Sequence, residues 1–225
     1  MLSRLFNFKP SAKPFTQIVA NLTLPLEEAR RRANILVVDD DVNAFPVNLL
    51  RAEGYNIQQW EKLTSIRNLE EGQYHIIILD IYNICSEDVS ENGGLGVLEH
   101  LKRTNPAQIV IAYSGKKFDL SHEKFWRIAD DYFTKPIDML AAKGRIDSLL
   151  KDRFNAQYYW DGLMGFLQEK GVGRDAITNL DNKLGQAVLN KEQVSEADIR
   201  GTLSAGKDII ATAWIITQVI MLLAK

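Results

Sequence analysis

The sequence predicts an α/β protein: a flavodoxin-like, doubly wound, five-stranded parallel sheet followed by a small all-α region. Three observations carry that expectation. Apolar runs too short for helices and too continuous for half-exposed strands recur at Ile35-Leu36-Val37-Val38, Ile76-Ile77-Ile78-Leu79 and Ile109-Val110-Ile111-Ala112. Stretches with helical spacing alternate with them. After residue 150 no such run occurs, although apolar residues continue at helical spacing.

In chain order, residues 1–34 mix Pro10, Pro14 and Pro25 with scattered apolar residues and close on the charged run Glu27–Arg32, which suits a short helix start or a solvated linker. The first strand, Ile35–Val38, stops at Asp39-Asp40-Asp41. Val47, Leu49, Leu50 and Ala52 set a helix that ends at Gly54 and, because Pro46 is tolerated only in a first turn, begins late. Tyr55-Asn56-Ile57 reads as a short strand. The third strand ends in Asp80, and Leu95, Leu98 and Leu101 mark the next helix. The fourth strand ends at Ser114-Gly115. Phe125 and Ile128 place a helix before a strand stub at Tyr132-Phe133, Lys135-Pro136 follows, and a last helix runs through Leu149-Leu150. The division is therefore 1–34 lead segment, 35–150 α/β domain and 151–225 helical domain. Two or three helices are expected in the last, with breaks at Gly171-Val172-Gly173 and within Val194–Arg200.

Composition narrows the function classes. The chain is 46% hydrophobic and 25% charged, with one cysteine, Cys85, so an intrachain disulfide or a cysteine-rich metal site is excluded. Basic and acidic residues number six and two in residues 1–34, twelve and eighteen in 35–150, and nine and nine in 151–225. No basic excess after residue 34 rewards a phosphate backbone, and nucleic acid is not expected as a partner. Lys9, Pro10, Lys13 and Pro14 interrupt the apolar residues of the N-terminus, which lacks a secretory signal pattern, so a cytoplasmic location is expected.

In a parallel α/β sheet, ligands gather outside the carboxyl ends of the strands. The ends of the first, third, fourth and fifth strands carry Asp39-Asp40, Asp80, Ser114 and Lys135. Three carboxylates at one edge repel one another unless a cation neutralises them, and an all-oxygen set favours a hard divalent ion such as Mg²⁺. One carboxylate can then act as nucleophile toward a phosphoryl group, while a lysine and a hydroxyl meet its oxygens.

Residues 35–150 resemble the receiver domain of two-component response regulators. Ile35–Asp40 is similar to that family's first strand with its acidic pair, Ile77–Asp80 to its phosphoacceptor strand, Ile111–Gly115 to its switch-hydroxyl strand, and Asp131–Pro136 to its lysine-proline strand. The resemblance implies that Asp80 is phosphorylated, that Asp40 ligates Mg²⁺ directly and Asp39 through water, and that the backbone carbonyl of Tyr82 joins them. It further implies that Ser114 and Lys135 hold the phosphoryl group, that Tyr132 turns inward on activation, and that the Lys135-Pro136 bond is cis. Its partner would be a histidine kinase or phosphotransfer protein. Such a chain would be a phosphoacceptor rather than an enzyme acting on a small substrate. The sequence departs from the family in a long polar, acidic stretch, Ile81 to Gly93, where a short loop is usual.

Other residues carry blander expectations. His75, His100 and His122 lack ligand spacing, nearby carboxylates should raise the Cys85 pKa, and Tyr158-Tyr159-Trp160 suits a helical packing face. The uncharged stretch Ile209 to Ala224 falls short of a membrane span and suits a buried or partner-facing helix; its apolar surface motivates homodimerisation through 151–225. Two alternatives are a helix-turn-helix hidden in residues 173–200, with a sparse basic face of Arg174, Lys183, Lys191 and Arg200, and a membrane tether in 209–225.

Overall fold

The computed structural model describes residues 13–115 and 127–224. Five parallel strands, β1 (Ile35–Val38), β2 (Ile57–Trp60), β3 (Ile76–Asp80), β4 (Ile109–Ser114) and β5 (Asp131–Thr134), form one sheet in the order β2-β1-β3-β4-β5. That is the flavodoxin-like order of a doubly wound sheet. The three continuous apolar runs are the three central strands, and each is buried along its whole length. Their side chains alternate between two cores. Ile35, Val37, Ile76, Ile78, Ile109 and Ile111 face one, and Leu36, Val38, Ile77, Leu79, Val110 and Ala112 face the other.

Helices α3 (Val47–Ala52) and α6 (Met139–Arg153) cover the first face, and α4 (Arg67–Glu70) and α5 (Gly93–Thr104) the second. α3 starts directly after Pro46, the late start that a proline dictates. α6 is capped by Asp138, whose carboxylate accepts from the Ala141 amide at 2.9 Å. The second strand lies later than the sequence indicated: Tyr55 precedes β2, buried, with its hydroxyl donating to Asp147 rather than its backbone pairing in the sheet. The helix expected at Phe125–Ile128 lies mostly outside the described residues, as does His122, with helical geometry described at residues 127–128.

The described part of the lead segment, from residue 13, is built into the fold. It holds α1 (Phe15–Val19) and α2 (Leu26–Arg32), and Phe15 is fully buried with its ring 5.1 Å from Trp160. The region after residue 150 holds four helices rather than two or three: α7 (Ala156–Glu169), α8 (Arg174–Asn190), α9 (Glu196–Leu203) and α10 (Lys207–Leu223). The extra division falls at Ser204, which takes a left-handed φ of 49° and ends α9. α1 crosses α8 where Gly185 stands. A Cβ there would sit 2.1 Å from the Lys13 carbonyl oxygen, and Asp181 one turn earlier accepts from the Thr16 amide at 2.8 Å and from its hydroxyl at 3.0 Å.

α10 packs along α7 and α9. Its Ile210, Ala213, Ile216, Val219 and Ile220 are buried inside the chain, so the unburied surplus that motivated a dimer is largely absorbed by neighbouring helices. Among the described residues no helix is long and apolar enough to cross a membrane. The helices also grip the amino edge of the sheet. Thr212 donates to the Thr104 carbonyl at 2.8 Å, Ile215 presses on Gly72, and Gly162 lies against Ala107. Tyr159 and Trp160 are buried, the packing role expected of them.

His75, at the same edge, is buried with its Nδ1 accepting from the Asn34 amide at 2.9 Å, and its ring is 5.0 Å from Phe154. Burial holds its pKa down at about 4. An unfolded chain protonates this ring near pH 6.5, so the unfolded state binds the extra proton between about pH 6.5 and 4. Stability from this group is complete above that window and falls as the pH drops through it, by up to about 3 kcal/mol. His75→Asn, whose amide oxygen can accept the same bond, should flatten the pH dependence of thermal unfolding in this range; an unchanged slope would rule the effect out.

Candidate functional site

The strand order sets the site. Because β1 and β3 are neighbours in register Val38↔Leu79, the residues that follow them, Asp39 and Asp80, meet at the carboxyl edge. β4 lies beside β3 and β5 beside β4, which brings Ser114 and, after Thr134, Lys135 to the same place. Oxygens of Asp39, Asp40 and Asp80 all lie within 4.8 Å of one another. Asp39, Asp80 and Ser114 are 0%, 4% and 1% exposed, whereas Asp40 faces solvent.

Lys135 bridges the two buried carboxylates, with Nζ 2.7 Å from Asp39 Oδ2 and 2.7 Å from Asp80 Oδ2. The contact with Asp80 is a hydrogen bond, while Asp39 Oδ2 has close charge without hydrogen-bond alignment. Asp39 Oδ1 accepts from the Asp41 amide at 3.0 Å and Asp80 Oδ1 from the Ile81 amide at 2.7 Å. Burial pushes the Asp80 carboxyl pKa up; Lys135 and the Ile81 amide pull against that, and the charge of Asp39 adds to it. Burial lowers the Lys135 ammonium, but its contacts with Asp39 and Asp80 outweigh that and hold it above the usual value.

Two buried carboxylates, one with an oxygen that receives no hydrogen bond, beside a third open to water make a donor set suited to a hard divalent cation. The residues therefore fit Mg²⁺.

The Lys135-Pro136 bond is cis, as the resemblance implies. Tyr132 does not join the cluster: it lies on the edge strand, 39% exposed, with the Arg145 guanidinium 5.2 Å over its ring. Tyr82 follows Asp80 by two residues, on the loop that leaves β3, and is half-buried.

Sequence reasoning gave no role to Tyr113 and Gly94. The Tyr113 ring lies 4.8 Å beneath the Lys135 ammonium and its hydroxyl donates to the Ala44 carbonyl, flooring the site. Burial foremost, then the charges of Asp39 and Asp80, pushes its pKa up. At Gly94 a Cβ would sit 2.0 Å from the carbonyl oxygen of Asp80, so the long loop can return to α5 only across a glycine. That loop is anchored, not loose: Ile84 is fully buried, and the Leu63 amide donates to its carbonyl at 2.6 Å. The Cys85 thiol is pushed up by burial rather than by the neighbouring carboxylates.

The sparse basic face of residues 173–200 is neutralised in part, Lys183 pairing with Asp198 at 2.7 Å and Arg200 with Glu196 at 2.6 Å.

No protein-family model matches the chain, and no curated protein does. Among solved structures the chain is similar to a CheY-like response regulator receiver domain protein from Methanospirillum hungatei JF-1, with 20% identity over 54% of this chain and 95% of that one, at a TM-score of 0.44. It is also similar to a response regulator, TrrA, from Thermotoga maritima in complex with Mg²⁺ and BeF, with 26% identity over 52% of this chain and 98% of that one, at a TM-score of 0.41. Each of these matches covers about half of this chain, and the described residues after 155 are mainly helical.

Proposed function

We propose that the chain is a response regulator of a two-component relay, whose receiver accepts a phosphoryl group on Asp80 and passes the event to the helices of residues 151–225. The observation that carries this reading is the meeting of Asp39, Asp40, Asp80, Ser114 and Lys135 at one strand edge, with Lys135 clamped between Asp39 and Asp80.

The donor would be a phosphohistidine on a kinase or phosphotransfer protein. An oxygen of Asp80 attacks phosphorus; the new O–P bond forms as the P–N bond breaks, and the electron pair leaves with the imidazole. Lys135 shifts from carboxylate to phosphoryl oxygen, and the Ser114 hydroxyl donates to another. Asp39, Asp40, Asp80 and the Tyr82 carbonyl would hold Mg²⁺, which when bound supplies positive charge against the phosphoryl oxygens. Tyr132, with Ser114, would be the switch pair. The protein would act as a cytoplasmic phosphoacceptor, catalysing only its own phosphorylation and dephosphorylation. Self-association through 151–225 is a finer part of the reading, and light scattering on the full chain decides it.

With Mg²⁺ and a small acyl phosphate, the purified chain should gain one phosphoryl group on the peptide carrying Asp80, and a chelator should prevent it. Labelling that is indifferent to the chelator, or that falls on another residue, would overturn the reading. Lys135→Ala removes a cation from an acidic cluster and should bind Mg²⁺ at least as tightly as wild type while losing any conformational response to phosphorylation. A weaker Mg²⁺ affinity would count against the clamp.

A further inference from the structure

We infer that α2 is a strap that couples the carboxylate site to the far end of α10, so that filling the site releases the last turn of that helix. The inference rests on the phosphoacceptor reading and names the regulation of that same site.

The strap has two grips. Arg30, buried, holds Asp147 of α6 through Nε at 2.9 Å and Nη2 at 2.7 Å, and Tyr55 donates to the same carboxylate. Two residues on, Arg32 reaches the other way, and its Nη1 donates to the Leu222 carbonyl at 2.8 Å. That carbonyl belongs to the last turn of α10, whose carbonyls have no partner within the helix, and a cation there both satisfies the oxygen and opposes the helix dipole.

Both ends of the strap's receiver attachment lead to the site. α2 ends three residues before β1, which delivers Asp39, and α6 starts four residues after Lys135. Arg30–Asp147 therefore fixes the base of α6 relative to β1, while Lys135–Asp39 fixes the two at the top. Once a cation and a phosphoryl group take the carboxylate oxygens, Lys135 leaves Asp39 and α6 is free to shift against β1. Asp147 carries Arg30 with it, α2 turns, and Arg32 withdraws from Leu222. The last turn of α10 then frays and uncovers Met221 and Leu223, both buried while the strap holds.

Hydrogen exchange on the full chain tests this, with Mg²⁺ and beryllofluoride as the phosphoryl mimic and binding followed separately by fluorine NMR. Exchange at residues 219–223 should quicken by about 5- to 150-fold on binding, the range of ordinary coupling energies. Arg32→Met, which keeps the apolar stem, should exchange at the fast rate with or without the mimic. Because coupling is reciprocal, it should also bind the mimic more tightly by the same factor. Loosening without coupling would leave that affinity unchanged. Binding in wild type with no change at 219–223, or equal affinity in Arg32→Met, overturns the strap. Failure of wild type to bind the mimic at all overturns the phosphoacceptor reading and the strap with it.

Discussion

Asp80→Asn is expected to reduce Mg²⁺-dependent labelling by a small phosphodonor to background while leaving the fold intact. The substitution removes the carboxylate assigned to form the O–P bond, since an amide oxygen is a poor nucleophile at neutral pH. Its shape is kept. The asparagine oxygen can still accept from the Ile81 amide, now 2.7 Å from Oδ1, and Lys135 still has Asp39 at 2.7 Å. One of two buried like charges also disappears, and that repulsion is among the causes that push the Asp80 pKa up, so no loss of stability is expected. Intact-mass measurement of the label and a thermal melt of the variant check both halves. Labelling that persists in Asp80→Asn but vanishes in Asp40→Asn would move the nucleophile to Asp40 and sink the assignment.

The parts of this structure that could be read from the sequence are those whose signal is local. A strand buried on both faces must be apolar along its length, and β1, β3 and β4 announced themselves that way. The cluster of Asp39, Asp40, Asp80, Ser114 and Lys135 followed, because polar residues that end such strands must lie at one edge of a parallel sheet. β2 was misplaced because an edge strand with one buried, one exposed and two half-buried positions has no such run, and Tyr55 beside it is buried for a different reason: it packs under Arg30. What escaped altogether depends on contacts between distant residues. Nothing around Phe15 foretells Trp160, and nothing around Arg30 foretells Asp147, which is 117 positions away. Gly94 is needed because the Asp80 carbonyl approaches it, a fact of tertiary structure that no pattern within the 81–93 loop encodes. The apolar face of α10 was legible, but which surface covers it was not; the sequence suggested a second copy, and the fold supplies α7 and α9.

A chain ending at Lys151 is expected to lose cooperative folding. The cut looks harmless in the sequence, since it falls after the last helix of the α/β pattern, but the packing runs across it. One continuous apolar cluster joins β1, β3 and β4 to Trp160, Leu163, Ile216 and Ile220. Removing residues 152–225 would strip Trp160 from Phe15 and Phe154 from His75, leave Ala107 bare, and take the Thr212 hydroxyl from the Thr104 carbonyl. α1 would lose both Gly185, over which it crosses, and Asp181, which binds the Thr16 amide. Fully exposing a large apolar side chain costs about 1.5–3 kcal/mol, and total stability is typically about 5–15 kcal/mol, so exposing a handful of such groups consumes most of it. The expected product therefore aggregates or shows far-ultraviolet without near-ultraviolet circular dichroism, and melts without a sharp transition. A truncated chain that unfolds cooperatively within a few degrees of the full-length protein would show that the sheet and its own helices suffice. It would also remove the mechanical basis for the proposed signal from Asp80 to the helices, since a sheet indifferent to their removal could not be strained by their attachment.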